Sequence, residues 1–267
     1  MTMTSHAQRI LTALIALPLI GAAVYQGGVL LFFVLLVVSS LGLWEFYSLF
    51  WEHKEAIVLK GLGILTGGLV LYAGYHERLW MVMVILLAFF WLLNLIFMVQ
   101  LGSGKNQHQY DRLMVLFSGQ IYLPLLLMLA LWLSAVEIVF VLVAAFATDT
   151  GAFYAGSYLG KHKLWPAISP KKTWIGSIGG CALCILATTA IGLSFGQADW
   201  PVWIAAGFLL SIAAQVGDLF ESALKRSLRV KDSGHVLPGH GGILDRIDSL
   251  LLALPVYLLL RSTLTLF

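Results

Sequence analysis

Residues 80–99 read Trp80-Met-Val-Met-Val-Ile-Leu-Leu-Ala-Phe-Phe-Trp-Leu-Leu-Asn94-Leu-Ile-Phe-Met-Val99, twenty positions with no charge and a single amide. A helix needs about 20 apolar residues to cross the hydrocarbon of a bilayer. In lipid every backbone polar group needs an internal partner, so continuous apolarity of this length predicts a spanning helix. A membrane β-barrel would instead show segments of alternating polarity, and the runs here do not alternate. The same reading extends outward. Apolar runs between charged or glycine-rich breaks fall at 10–25, 29–50, 61–75, 80–99, 113–133, 136–156, 173–195, 202–224 and 247–266. The chain is 60% hydrophobic and 11% charged over 267 residues, with a mean hydropathy of +0.92. That is far too apolar for a soluble domain of this size. The expected fold is an all-α integral membrane protein of about nine transmembrane helices.

Charge placement orients it. Arg9 and the connections holding Lys54, Lys60, Lys105, Arg112, Lys161, Lys163, Lys171, Lys172, Lys225, Arg226, Arg229, Lys231 and Arg246 carry 14 of the 16 Lys and Arg. The other side keeps Arg78 and Arg261. The positive-inside rule then predicts a cytoplasmic N-terminus and cytoplasmic basic loops. The formal net charge is only +3 and no run of consecutive basic residues is long enough to suggest a nucleic-acid partner. Residues 10–25 imitate a signal peptide after Arg9, but Gln26-Gly27-Gly28 leads straight into the next run, and a retained first helix is the expectation. One membrane domain, 1–267, is expected, with helices of 1–135 as a packing or dimer region and 136–267 carrying the chemistry. Gly63-x3-Gly67 reads as a helix-packing pair. Gly156-x3-Gly160 and Gly176-x3-Gly180 flank a basic loop, where packing and phosphate cradling are equally open. Cys181 and Cys184 lie within an apolar helix, whose geometry disfavours a mutual disulfide.

The polar residues concentrate near the C-terminal end. Asp218, Glu221, Ser222 and Lys225 recur at i, i+3, i+4 and i+7, which places them on one helical face at the end of a lipid-embedded helix. A carboxylate there is expensive and faces a protein interior or a watery cavity with a partner. An ion pair of Asp218 with Lys225 or Arg226 that merely pins the helix end is the plainer alternative. Next come Lys231-Asp232-Ser-Gly-His235-Val-Leu-Pro238-Gly239-His240-Gly241-Gly242 and Ile-Leu-Asp245-Arg246-Ile-Asp248. Asp245 and Asp248, one turn apart, offer the carboxylate pair that Mg²⁺ takes together with water and substrate phosphates. The glycine-rich loop lets backbone N–H groups approach a phosphate, and the following helix N-terminus adds a favourable dipole. Lys225, Arg226, Arg229 and Lys231 add positive charge. At the same face lie Asp149, inside an otherwise apolar run, and Lys161-His162-Lys163 and Ser169-Pro170-Lys171-Lys172-Thr173-Trp174. Acids for metal beside bases for anions is the layout of phosphoryl-type transfer.

The stretch from Ser222 to Asp248 resembles the long C-terminal motif of the phosphatidate cytidylyltransferases, or CDP-diacylglycerol synthases, at its defining polar and glycine positions. Asp149-Thr-Gly-Ala-Phe-Tyr, Gly160-Lys161-His162-Lys163-Leu and Ser169-Pro170-Lys171-Lys172-Thr173-Trp174 resemble that family's upstream region. The similarity covers roughly 145–250, and the first five runs match only in hydropathy. Ile175 stands where the family often carries Glu or Gln, and Ser157 where it often carries a basic residue.

The resemblance implies condensation of CTP with phosphatidate to CDP-diacylglycerol and pyrophosphate, in the plasma (bacterial inner) membrane with the site facing the cytoplasm. It also implies dependence on Mg²⁺, assistance by a monovalent cation such as K⁺, and a homodimer in the bilayer. On this reading Asp218, Asp245 and Asp248 hold metal, with Lys225 beside them as a catalytic residue. Asp149, Lys171, Lys172, Ser222, Arg226, Lys231, His240, Gly241 and Gly242 bind substrate. The competing class is an ion-coupled secondary transporter, which also uses intramembrane carboxylates at broken helices. Against it stand the gathering of the acids at one face and the lack of an inverted repeat.

Overall fold

The computed structural model describes residues 5–51, 56–103, 109–234 and 241–267, with side chains from Leu14 onward except Ile15 and Gln109. Helices dominate, as the apolar runs require. Among the described residues, seven helical segments are long and apolar enough to cross a membrane: 28–50, 57–75, 79–102, 110–132, 135–159, 174–195 and 200–227. In α4 (Leu79–Gly102) only 17% of the most apolar stretch is buried. Trp80, Met83, Leu87, Trp91, Leu95 and Met98 all stand exposed on it. A helix apolar on every side, with so little of it packed against protein, is stable only against lipid. The chain is an all-α membrane protein.

It divides into two compact units, residues Met1–Trp132 with Asp232–Leu244 and residues Leu133–Lys231 with Asp245–Phe267. The first holds α1 (Ser5–Gln26), α2 (Gly28–Phe50), α3 (Ile57–Tyr75) and α4, then α5 (Gln109–Tyr122) and the short α6 (Pro124–Leu127). Gly27 and Gly28, at φ 61° and 51°, make the turn from α1 to α2, a backbone conformation that costs glycine nothing. The run 113–133 is not one continuous helix. Pro124 has no N–H to give the preceding turn, so α5 stops at Tyr122, and α6 is followed by a 3₁₀ stretch, Met128–Trp132. Gly63 and Gly67 do serve packing, since a Cβ on either would lie 2.6–2.7 Å from Tyr47 or Leu43 of α2. Tyr47 donates to Leu116 O at 2.9 Å, and Gln120 Nε2 donates to both Tyr47 Oη and Gly63 O at 2.8 Å, which ties α2, α3 and α5 together in a buried polar knot.

The second unit holds α7 (Ala135–Leu159), α8 (Trp174–Phe195), α9 (Trp200–Ser227) and α10 (Leu244–Thr263), the last beginning with a residue of the first unit. A capping box of Ser134 and Glu137 starts α7. One connection is not helical: β1 (Lys163–Trp165) and β2 (Ser169–Thr173) form an antiparallel hairpin. Pro166 and Pro170 exclude a helix there, and Thr173 ends the hairpin by capping α8, its hydroxyl accepting from Gly176 N at 3.1 Å.

The α7–α8 contact is unusually close. A Cβ on Gly151 would meet Gly179 O at 2.6 Å, one on Gly180 would meet Thr148 O at 2.5 Å, and one on Gly176 would meet Ala152 O at 2.9 Å. Gly176 and Gly180 therefore belong to a small-residue track that brings two backbones together. Cys181 and Cys184 are free thiols.

Candidate active site

The polar residues of the second unit gather where α7, β2, α9 and the start of α10 come together. Helical spacing on α9 gives the first group. Lys225 Nζ lies 2.8 Å from Glu221 Oε2, one turn back, and 2.5 Å from Asp245 Oδ1 of α10. Glu221 is 1% exposed and Lys225 13%, so this three-membered ion cluster is sealed between the helices. α9 and α10 approach closely just above it, because Gly217 packs directly on the carbonyl of Asp248. Asp248 Oδ1 accepts from Ser249 N at 2.7 Å, and the Ser249 hydroxyl bridges Asp248 Oδ1 (3.4 Å) and Asp149 Oδ2 (3.5 Å).

The second group faces open space. A cavity of about 520 Å³ is lined by Asp149 of α7, Lys163, Lys171 and Lys172 of the hairpin, and Asp218 and Gln215 of α9. Phe153, Leu164 and Leu219 supply apolar wall. Small-molecule sites occupy about 300–1,000 Å³ and combine apolar walls with a few convergent polar groups. Lys172 Nζ meets Asp218 Oδ2 at 2.6 Å, both about a quarter exposed. Ser222 donates to Asp218 Oδ1 at 3.3 Å, and Ser177 donates to Gln215 Oε1 across α8 and α9. Gly156, Gly160 and Gly176 also line this cavity, so the two glycine pairs that flank the basic loop combine packing with a place on its wall.

The residues expected from the sequence thus fall into sets. Asp149, Lys171, Lys172 and Asp218 share the cavity, with Ser222 holding Asp218. Lys225 and Asp245 share the sealed ion cluster, and Asp248 reaches Asp149 through Ser249. Arg226 is exposed and donates to Ile168 O of the hairpin at 3.3 Å. Lys231 is exposed. Gly241 and Gly242 belong to the first unit, Gly241 with φ +82°. His240 lies outside the described residues.

The plainer alternative for Asp218 drops out. Asp218 does not pair with Lys225 or Arg226; its cation is Lys172, brought over by the hairpin. Of the expected metal set Asp218, Asp245 and Asp248, Asp218 lies on the cavity wall. Among the described residues no three Asp, Glu, His or Cys side chains are grouped to hold a metal ion; Asp245 pairs with Lys225, and Asp248 accepts from Ser249 N. The donor chemistry that fits a hard cation is the acidic pair on the cavity, Asp149 and Asp218, because Mg²⁺ needs only one or two carboxylates beside water and phosphate. Glu221 and Ser249 complete the site without having been singled out as functional. Glu221 was legible as part of the α9 polar face, whereas Ser249 carries no local signal.

A family model for the cytidylyltransferase family matches residues 7–264. The chain belongs to the cytidylyltransferase family. It is similar to the phosphatidate cytidylyltransferase of Staphylococcus aureus (strain COL), 34% identical over 253 residues, which is 93% of this chain and 96% of the relative. The phosphatidate cytidylyltransferases of Staphylococcus saprophyticus and Staphylococcus haemolyticus are 49% and 48% identical over 121 residues, covering 45% of this chain and 46% of each relative. The family match spans helices that the motif resemblance left to hydropathy alone.

Proposed function

We propose that this cytidylyltransferase condenses CTP with phosphatidate at the cavity of the second unit, releasing pyrophosphate and leaving CDP-diacylglycerol in the membrane. The observation that carries the reading is the convergence of three lysines and two carboxylates on one cavity with an apolar wall. A triphosphate and a lipid phosphate are both anions, and the lysines of the hairpin bind and neutralise them as they approach. An oxygen of the lipid phosphate forms the new bond to the α-phosphorus of CTP while the bond to the β-bridging oxygen breaks. No protein nucleophile is required, so positioning and charge neutralisation carry the rate. Phe153, Leu164 and Leu219 give the lipid side of the substrate an apolar contact.

Mg²⁺ would be held by Asp218 and Asp149, and when bound it would neutralise charge between the phosphates. Displacing Lys172 from Asp218 would then free that lysine for a phosphate oxygen. The basic connections support a plasma-membrane enzyme with its site toward the cytoplasm, where CTP is found. A homodimer and a monovalent cation such as K⁺ complete the proposal. The ion-coupled carrier gains no support from family membership or from the cavity.

The test is transfer of label from the α-phosphate of CTP into lipid, with phosphatidate as acceptor, titrated with Mg²⁺ in the presence and absence of K⁺. Asp218→Asn is expected to lose more than about 100-fold in kcat/KM, the scale of one preorganised charge in a phosphoryl-transfer site. Turnover near wild type at ordinary Mg²⁺ would sink the assignment. Size measurement in detergent checks the dimer.

A further inference from the structure

Glu45 lies within the apolar run of α2, five residues before its end and 2% exposed, where a carboxylate is costly unless it is put to use. Its Oε2 accepts the backbone N–H of Leu244 at 3.0 Å, a contact across 199 residues. Leu244 is the first residue of α10 and is peptide-bonded to Asp245. The N–H groups of a first helical turn lack intrahelical partners, and a carboxylate there both satisfies one and complements the positive helix end. The α10 N-terminus that the sequence offered to a phosphate is therefore capped from within the protein.

The two described ends of the glycine-rich loop are moulded to the same carboxylate. A Cβ on Gly234 would lie 2.7–2.8 Å from the Glu45 side chain, and one on Gly242 would lie 2.8 Å from Oε2 and collide with the Ser233 hydroxyl. One turn earlier on α2, Gly42 leaves room for Ile243, whose Cγ2 would be 3.8 Å from a Cβ there. Ser233, Ile243 and Leu244 are all buried. Both ends of the loop 232–244 are thus set against one face of α2, and the chain leaves that face directly into Asp245 and Asp248.

We propose that Glu45 is a positioning residue for the transferase reaction: it clamps the two described ends of the loop, Ser233–Gly234 and Gly242–Leu244, and fixes where α10 begins, and so sets the register of Asp245 and Asp248. The inference rests on the transferase reading for its kinetic consequence, but the clamp has its own readout. Glu45→Ala, Glu45→Asp and Glu45→Gln are made in the full-length protein in detergent. Without the acceptor, Glu45→Ala raises the KM for CTP about 10- to 100-fold, the range for losing a charged hydrogen bond in a buried site. Glu45→Asp, one methylene too short, behaves like Glu45→Ala and replaces it if the alanine variant does not fold. Glu45→Gln keeps an acceptor oxygen at the same reach and stays within about threefold of wild type. A residue that mattered only for folding would lower the active fraction and leave KM alone. Limited proteolysis supplies the second readout, with cleavage between Asp232 and Ile243 at least about tenfold faster in Glu45→Ala or Glu45→Asp than in wild type. A KM for CTP within twofold of wild type, or unchanged cleavage, overturns the proposal. Should the wild-type protein fail to transfer from CTP to phosphatidate, the transferase reading falls, and the cleavage rates alone decide the clamp.

Discussion

Replacing Lys225 by methionine removes the cation that pairs with both Glu221 and Asp245 while keeping most of the side-chain volume. The two contacts, at 2.8 and 2.5 Å, are each worth about 6 kcal/mol of attraction at an effective dielectric constant of about 20, before desolvation is subtracted. Desolvation takes back several kcal/mol per ion. The net cost of breaking such a pair from one side is about 3–5 kcal/mol, because Glu221, at 1% exposure, is left charged with nowhere to turn or must take up a proton. Lys225→Met should therefore lower the Tm by on the order of 6–12 °C at the lower figure. Adding Glu221→Gln removes the stranded charge. Replacing both members of a buried pair is commonly close to neutral, so the double variant should recover most of the loss. Thermal unfolding followed by tryptophan fluorescence in detergent reads both. A double variant no more stable than Lys225→Met would refute the reasoning, since Glu221 would then not have been the stranded charge. Transfer activity is expected to stay low in the double variant, because Asp245 still lacks its contact with Lys225.

Gly151→Ala should cost about 3 kcal/mol or more, since its Cβ meets backbone Gly179 O at 2.6 Å. Gly61→Ala, with nothing within 4 Å, should be neutral or slightly stabilising, and equal Tm changes in the two would contradict the packing argument. Ser249→Ala, which cuts the bridge between Asp149 and Asp248, is expected to lower kcat/KM about 3- to 10-fold with no more than about 1 kcal/mol lost in stability. Thr173→Val removes the cap of α8 at the hairpin's end and should cost about 1 kcal/mol; unchanged thermal unfolding would show that the cap is idle.

What was legible in the sequence is what depends on short range. Unbroken apolar runs gave the spanning helices, and the i, i+4 step from Glu221 to Lys225 became a real ion pair. Asp149 was exposed by the cost of an acid among apolar neighbours. Glu45 meets the same criterion inside the 29–50 run, yet its partner is 199 residues away and no local pattern points there. Asp218 shows the same limit. Helical spacing offered it Lys225, but the competitor Lys172 arrives on a hairpin whose fold back onto α9 is a tertiary event. The break at Pro124 was readable in principle, since proline withholds a hydrogen bond, but in lipid a continuous apolar run masks it.

The glycine track between α7 and α8 has a consequence for inheritance. Asp149 sits between Thr148 and Gly151, both in backbone-range contact with α8, so its place is fixed by residues that own no chemistry. A saturation screen scored on lipid product should find Gly151, Gly179 and Gly180 as intolerant as the carboxylates they locate, and a ranking by sensitivity alone would mistake the hinge-free seam for the reaction centre.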